Sequence, residues 1–181
     1  MLKNKREKKC KEVNIMEKEW KQMLHLIRDG IIRKLDSARR FINIDKGISA
    51  GLHTFALEEF GKILLLERSK RVANNTKRKV MYADEFTNHE KKFPAVIDYL
   101  KNNGHEECYV LKGGFSKGFS NNFDKALLAD FEARMSIFYS DFVYDANRNP
   151  VIQKPPTVDI NKLRVAINKL ETVVNNYPLP Q

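Results

Sequence analysis

The chain has 181 residues, enough for one domain with a substantial core, and its 33 Lys+Arg against 23 Asp+Glu leave a formal charge of +10. That balance favours a polyanionic partner such as RNA or DNA. Cys10 and Cys108 lie far apart with no His/Cys spacing around them, which argues against a zinc site; no apolar run approaches a membrane span, and no apolar signal core follows the charged N-terminus. The expectation is a soluble cytoplasmic protein without metal or cofactor.

Residues 1–14 are mostly Lys, Glu and Asn and read as a basic N-terminal extension, with a single helical domain over 15–177. Apolar positions at Ile15, Trp20, Met23/Leu24, Ile27, Ile31, Leu35, Ala38 and Ile42 step by threes and fours, predicting a first amphipathic helix over 16–43. Asn43-Ile44-Asp45 makes a short turn, with Asp45 as N-cap of a second helix reaching about Val72. The short connection makes these helices an antiparallel hairpin. From Arg68 to Lys79 the basic residues Arg68, Lys70, Arg71, Lys77, Arg78 and Lys79 occur with no acidic one. A charge run of this kind is most often a solvated face, and it is also the best candidate for contacts to a phosphate backbone, through Arg71, Lys77 and Lys79.

A third helix begins near Asp84 and carries Phe86, His89, Phe93 and, beyond Pro94, Ile97 and Leu100. Residues 102–122 hold Gly104, Gly113, Gly114 and Gly118, an unusually long Gly-rich loop for a bundle. Gly113 to Gly118 lacks the Gly-Lys-Ser/Thr of a phosphate-binding loop. A fourth helix is expected over 122–139. Asp141 to Gln153 is irregular, with room for a small hairpin around Asn147-Arg148-Asn149. Asp159 then caps a final helix through Ile160, Leu163, Ile167, Leu170, Val174 and Tyr177. The fold class is all-α, a bundle of about five helices.

Three polar groups interrupt the apolar faces. At about 100° per residue, Glu59 falls on the stripe Ile48, Leu52, Phe55, Ile63 and Leu66 of the second helix, whose other side is also apolar. A carboxylate there must be paired or protonated. Glu58 and Glu59 precede Lys62 by four and three residues, so both can reach its ammonium, and Glu58 reads as a structural ion pair. His89 shares a face with Phe86 and Phe93, with Lys92 one turn on, and Arg134 shares a stripe with Leu127 and Ile137. Singly, each is more often a packed or paired residue than a catalyst. Together they would form a Glu–Lys–His–Arg cluster capable of acid–base chemistry on a phosphodiester without metal.

The segments Ala56-Leu57-Glu58-Glu59-Phe60-Gly61-Lys62, Phe86-x-x-His89-x-x-Lys92, Arg134 with Phe138-Tyr139-Ser140-Asp141, and the closing helix after Pro155-Pro156 resemble the AbiV family of abortive-infection proteins, helical proteins related to the HEPN superfamily. The likeness spans roughly residues 30 to 176. It implies a HEPN-like helical bundle and phage defence by arrest of translation or growth in the infected cell. It also implies RNA or the translation machinery as target, a phage protein as trigger and a homodimeric state. Many HEPN proteins are metal-independent endoribonucleases whose signature is Arg, four to six residues, then His; no His of this chain is preceded by Arg at that spacing. Any chemistry would therefore rest on Glu59, His89 and Arg134, with Lys62 and Lys92 holding phosphate. The alternative is a non-enzymatic RNA- or protein-binding module in which the buried ion cluster is purely structural.

Overall fold

A computed structural model describes residues 12–72, 76–81, 89–109, 142–144, 150–152 and 159–181. These residues are mostly helical, in the order β1 (Glu12–Met16), α1 (Glu17–Phe41), α2 (Lys46–Glu67), β2 (Lys70–Val72), β3 (Lys77–Met81), α3 (His89–Asn102), a 3-10 turn (Glu106–Cys108), β4 (Phe142–Tyr144), β5 (Pro150–Ile152) and α4 (Ile160–Asn176). The helix expected over 122–139, most of the Gly-rich loop and Cys10 lie outside the described residues. No helix among the described residues is long and apolar enough to cross a membrane.

The α1–α2 hairpin is the frame. Asp45 caps α2, its carboxylate accepting from the Gly47 and Ile48 amides at 2.8 and 3.0 Å. Small residues line the seam, and Ser49 donates its buried hydroxyl to the Ala38 carbonyl across the turn at 2.7 Å. The α1 stripe is buried as its spacing predicts, through Trp20, Leu24, Ile31, Leu35, Ala38 and Ile42. On α4, Leu163, Ile167, Leu170 and Val174 are buried in the same way, after an Asp159 cap that accepts from the Asn161 and Lys162 amides.

α2 differs. It packs against α1, α3 and α4 and is buried on nearly every side. Phe60, at its centre, meets Tyr99 of α3 and Tyr177 after α4 edge-to-face at 5.4 and 5.3 Å, and the two tyrosines meet at 5.4 Å. Such pairs add about 0.5–1.5 kcal/mol each beyond the buried area. The Tyr177 hydroxyl donates to Glu67, and burial raises that hydroxyl above its usual range.

The all-α expectation is corrected by a three-stranded antiparallel sheet, order β1-β3-β2. Residues 12–14, expected in a loose extension, pair as β1, and α2 ends at Glu67 rather than near Val72. The location follows from the hairpin: α1 and α2 run about 37 and 33 Å at 1.5 Å per residue, so the end of α2 returns to the start of α1. There Trp20 donates its indole N–H to the Leu66 carbonyl at 3.1 Å. Arg78 of β3 stacks 4.0 Å from the Trp20 ring centroid and grips Glu17 through two nitrogens at 2.7 and 3.1 Å. The Arg78 guanidinium holds the Glu17 carboxyl below its usual range. The hairpin expected around residues 147–149 is present as antiparallel β4–β5.

α3 ends in a Schellman turn. Gly104 takes φ 71°, His105 N–H donates to Leu100 and Gly104 N–H to Lys101. The chain then passes Cys108 beneath α2, against buried His53. Burial drives the His53 imidazole down to about 4 from 6.5, while the Cys108 backbone favours the proton. Its Nε2 has no hydrogen-bond partner among the described residues.

A neutral buried His must charge as the chain unfolds in acid. Its stabilising contribution is complete above about pH 6.5 and is lost as pH falls toward 4, amounting to about 3 kcal/mol. Glu17, with a lowered carboxyl, weakens only below the ordinary carboxylate range. Urea midpoints should therefore fall between pH 7 and 5 in the parent and stay flat in His53→Leu; equal slopes would exclude His53 as the cause.

Candidate functional site

Spacing of three along α2 puts Glu58 and Gly61 on one face, one turn apart. That face meets the first turns of α3. A Cβ on Gly61 would lie 2.1 Å from the Lys92 carbonyl oxygen and 2.8 Å from its carbon, a separation no side chain tolerates. Glycine is required here for contact, not for its torsional freedom. The same approach lets the Lys92 ammonium reach Glu58 Oε1 at 2.9 Å, with Lys92 2% and Glu58 4% exposed. Two residues on, Pro94 lies inside α3, where it removes one ladder hydrogen bond near the helix start.

The burial of Glu58 corrects the expectation for this helix. Glu58, more than Glu59, is the carboxylate inside the core, and it forms a structural ion pair as expected, with Lys92 across the helix crossing as a partner that its spacing does not reveal. The apolar stripe did not fix the phase because α2 is apolar nearly all round; Ile48, at the head of the expected stripe, is 38% exposed. Glu59 is half-buried and pairs with Lys62 at 2.8 Å, an i,i+3 pair along the helix surface. Lys92, expected to hold phosphate, is inside the protein and beyond reach of a phosphate backbone. His89 opens α3 one turn before Lys92; its side chain, like Arg134, lies outside the described residues.

The basic segment divides between two faces of the sheet. Arg78 and Val80 turn inward and are buried. Arg71, opposite Arg78, shares that pleat, is largely exposed, and lies 3.6 Å from Glu17. Lys77 and Lys79 alternate outward, and Lys70, directly across from Lys79, joins them. Lys70 was not singled out as a phosphate contact, nor Arg78, Glu17 and His53 as core polar groups. The alternation Lys77-Arg78-Lys79-Val80 is the signal that separates the two faces.

Among the described residues no three His, Cys, Asp or Glu side chains converge as metal ligands. Burial raises the Cys108 thiol to about 12, which leaves it a packed, unreactive group. No family model matches the chain, and no curated protein or solved structure is significantly similar to it.

Two substitutions test the α2–α3 contact. Gly61→Ala should destabilise by at least the 1–3 kcal/mol typical of overpacking, roughly, because the obstacle is backbone. Glu58→Ala should cost about 3–5 kcal/mol by stranding the buried Lys92 charge, and Glu58→Leu/Lys92→Met should recover most of that loss. Denaturant unfolding read by circular dichroism checks both. A neutral Gly61→Ala, or a double variant no better than Glu58→Ala, would contradict the geometry.

Proposed function

We propose that this chain is an abortive-infection phage-defence protein of the AbiV type, with a HEPN-like frame, that arrests translation or growth of the infected cell by engaging RNA or the translation machinery in the cytoplasm. The observation that carries the reading is the α2–α3 contact. Glu58 and Gly61 of the Leu-Glu-Glu-Phe-Gly-Lys element and Lys92 of the His-x-x-Lys element are 31 or more residues apart in the chain, yet form one ion-paired, backbone-to-backbone junction. Motifs that meet in this way are parts of one design, which strengthens the resemblance built on them. The formal charge of +10 supports a polyanionic target.

Binding is the favoured mode of action. Glu58 and Lys92 neutralise each other inside the protein, and Glu59 and Lys62 do so along the helix. Both arrangements serve the frame without requiring chemistry. Metal-independent RNA cleavage is a second reading, favoured by the place of His89 in the helix, one turn before the Lys92 backbone that meets Gly61. His89 would then act as acid or base, oriented by Glu59, with Arg134 at the phosphate.

Expression of the chain in a bacterial host should lower phage plaquing and stop amino-acid incorporation after infection. Unchanged plaquing and protein synthesis across a phage panel would sink the proposal. Incubation of purified protein with total RNA in EDTA separates the modes. Intact RNA favours binding, whereas cleavage lost in Glu59→Ala/His89→Ala would establish the nuclease.

A further inference from the structure

We propose that the open edge of β1 pairs with the same edge of a second copy of this chain, forming a two-fold dimer whose two three-stranded sheets join into one. The ladder shows which backbone groups that edge offers. The Glu17 amide donates to the Thr76 carbonyl at 2.8 Å, in register with the β1–β3 pairs. Antiparallel bonding alternates along a strand, so Ile15 and Val13 exchange their backbone bonds with Arg78 and Val80. Asn14 and Met16 therefore turn their N–H groups away from β3. β1 is an outer strand of the order β1-β3-β2, and among the described residues no strand lies beyond it.

The two edges of the sheet are not alike. An open edge is usually blunted by charge, proline or a bulge. β2 is Lys70-Arg71-Val72, and pairing it with itself about Arg71 would set two guanidinium groups against each other. β1 reads Glu12-Val13-Asn14-Ile15-Met16, without Lys, Arg or Pro, and leaves Val13 38% and Met16 44% exposed. This short sequence is also complementary to itself. An antiparallel two-fold at Asn14 sets Val13 opposite Ile15 and Glu12 opposite Met16, with no like charges facing. Asn14 then exchanges both backbone bonds with its copy, and the Met16 amide points at the second copy's Glu12 carbonyl. On the inner pleat, the row from buried Val80 to exposed Val13 continues into Ile15 of the second copy, an apolar pairing of β-branched side chains. A β1-to-β2 contact would repeat as an open chain, whereas the two-fold covers both β1 edges and leaves the charged β2 edges at the two ends.

Sedimentation equilibrium of the full chain over a range of concentrations tests the pairing. The parent should fit a monomer–dimer equilibrium with no larger species. Met16→Pro removes an outward N–H from each copy, and Met16 already has φ −60°, a proline value, so the β1–β3 ladder is untouched. It should weaken association by about tenfold or more at an unchanged melting temperature. Asn14→Asp sets two carboxylates face to face at the two-fold, and opposite Lys79 within each copy. It should weaken association likewise, and it carries the test if the proline variant fails to fold. In a Cys10→Ser background, oxidation should cross-link Asn14→Cys, where the Cα atoms would lie about 5.5 Å apart. Val13→Cys is offset along the strands beyond disulfide reach and should stay uncross-linked. A parent that is monomeric at every concentration leaves the edge to a foreign strand and overturns the dimer. So does a folded Met16→Pro or Asn14→Asp variant that associates as the parent does, or a Val13→Cys chain that cross-links as readily as Asn14→Cys. Assembly beyond two copies overturns the two-fold.

Discussion

The arrangement of α2, α3 and the groups between them depends on one steric constraint, the approach of the Lys92 backbone to Gly61. With a carbonyl oxygen 2.1 Å from where a Cβ would sit, this is a place where backbone meets backbone. The approach fixes where α3 crosses α2, and that fixes what its side chains can reach. Lys92 is brought close enough to pair with Glu58, and one and two turns further Val96 and Leu100 are buried behind it. Phe60, beside Gly61 in the chain, is placed to receive Tyr99 edge-on. A buried ion pair adds little net stability because desolvation offsets most of the attraction. Its contribution here is directional. Any sliding of α3 along α2 would strand two charges in the core, so the pair opposes changes of register that apolar packing alone would tolerate.

A second constraint closes the other end of the frame. Antiparallel helices of nearly equal length leave two free ends side by side, and the sheet occupies that site. Trp20 fills the space between the first turn of α1 and the last turn of α2, and Arg78 covers its ring. Glu17 anchors Arg78, and the Glu17 amide donates to the Thr76 carbonyl. The C-terminal segment runs along α1, with Arg28, His25 and Lys21 in contact with the carbonyls of Tyr177, Pro180 and Gln181. Lys21 and Arg28 of α1 and Arg78 of the inner pleat are thereby engaged by the protein itself.

Legibility in the sequence followed the number of faces each element buries. α1 and α4 bury one stripe, and their periodicity gave the core positions almost residue for residue. α2 is buried on nearly all sides, so its hydrophobic pattern has no phase and could not distinguish Glu58 from Glu59. Only the identity of the neighbour does that, and the neighbour lies 34 positions away at Lys92. The sheet was hidden for a different reason. Lys and Arg carry long apolar stems under a charged head, so an inward Arg78 and an outward Lys79 look alike in a charge count. The informative feature was the two-residue alternation ending in Val80, too short to stand out beside a strong basic run. Gly61 was visible as part of a motif, but its physical role, absence of a side chain at a helix crossing, needs the partner backbone to be seen.

Among the described residues, those that carry the family resemblance at the α2–α3 crossing are residues of the frame. Glu58, Gly61 and Lys92 set a helix crossing and bury their charges in doing so, which removes two of them from direct contact with any target. Lys92 meets Glu58 inside the core, Arg78 meets Glu17 at its edge and Lys62 meets Glu59 on the helix surface, so the cations that the frame takes inward do so where another part of the chain brings a carboxylate to them.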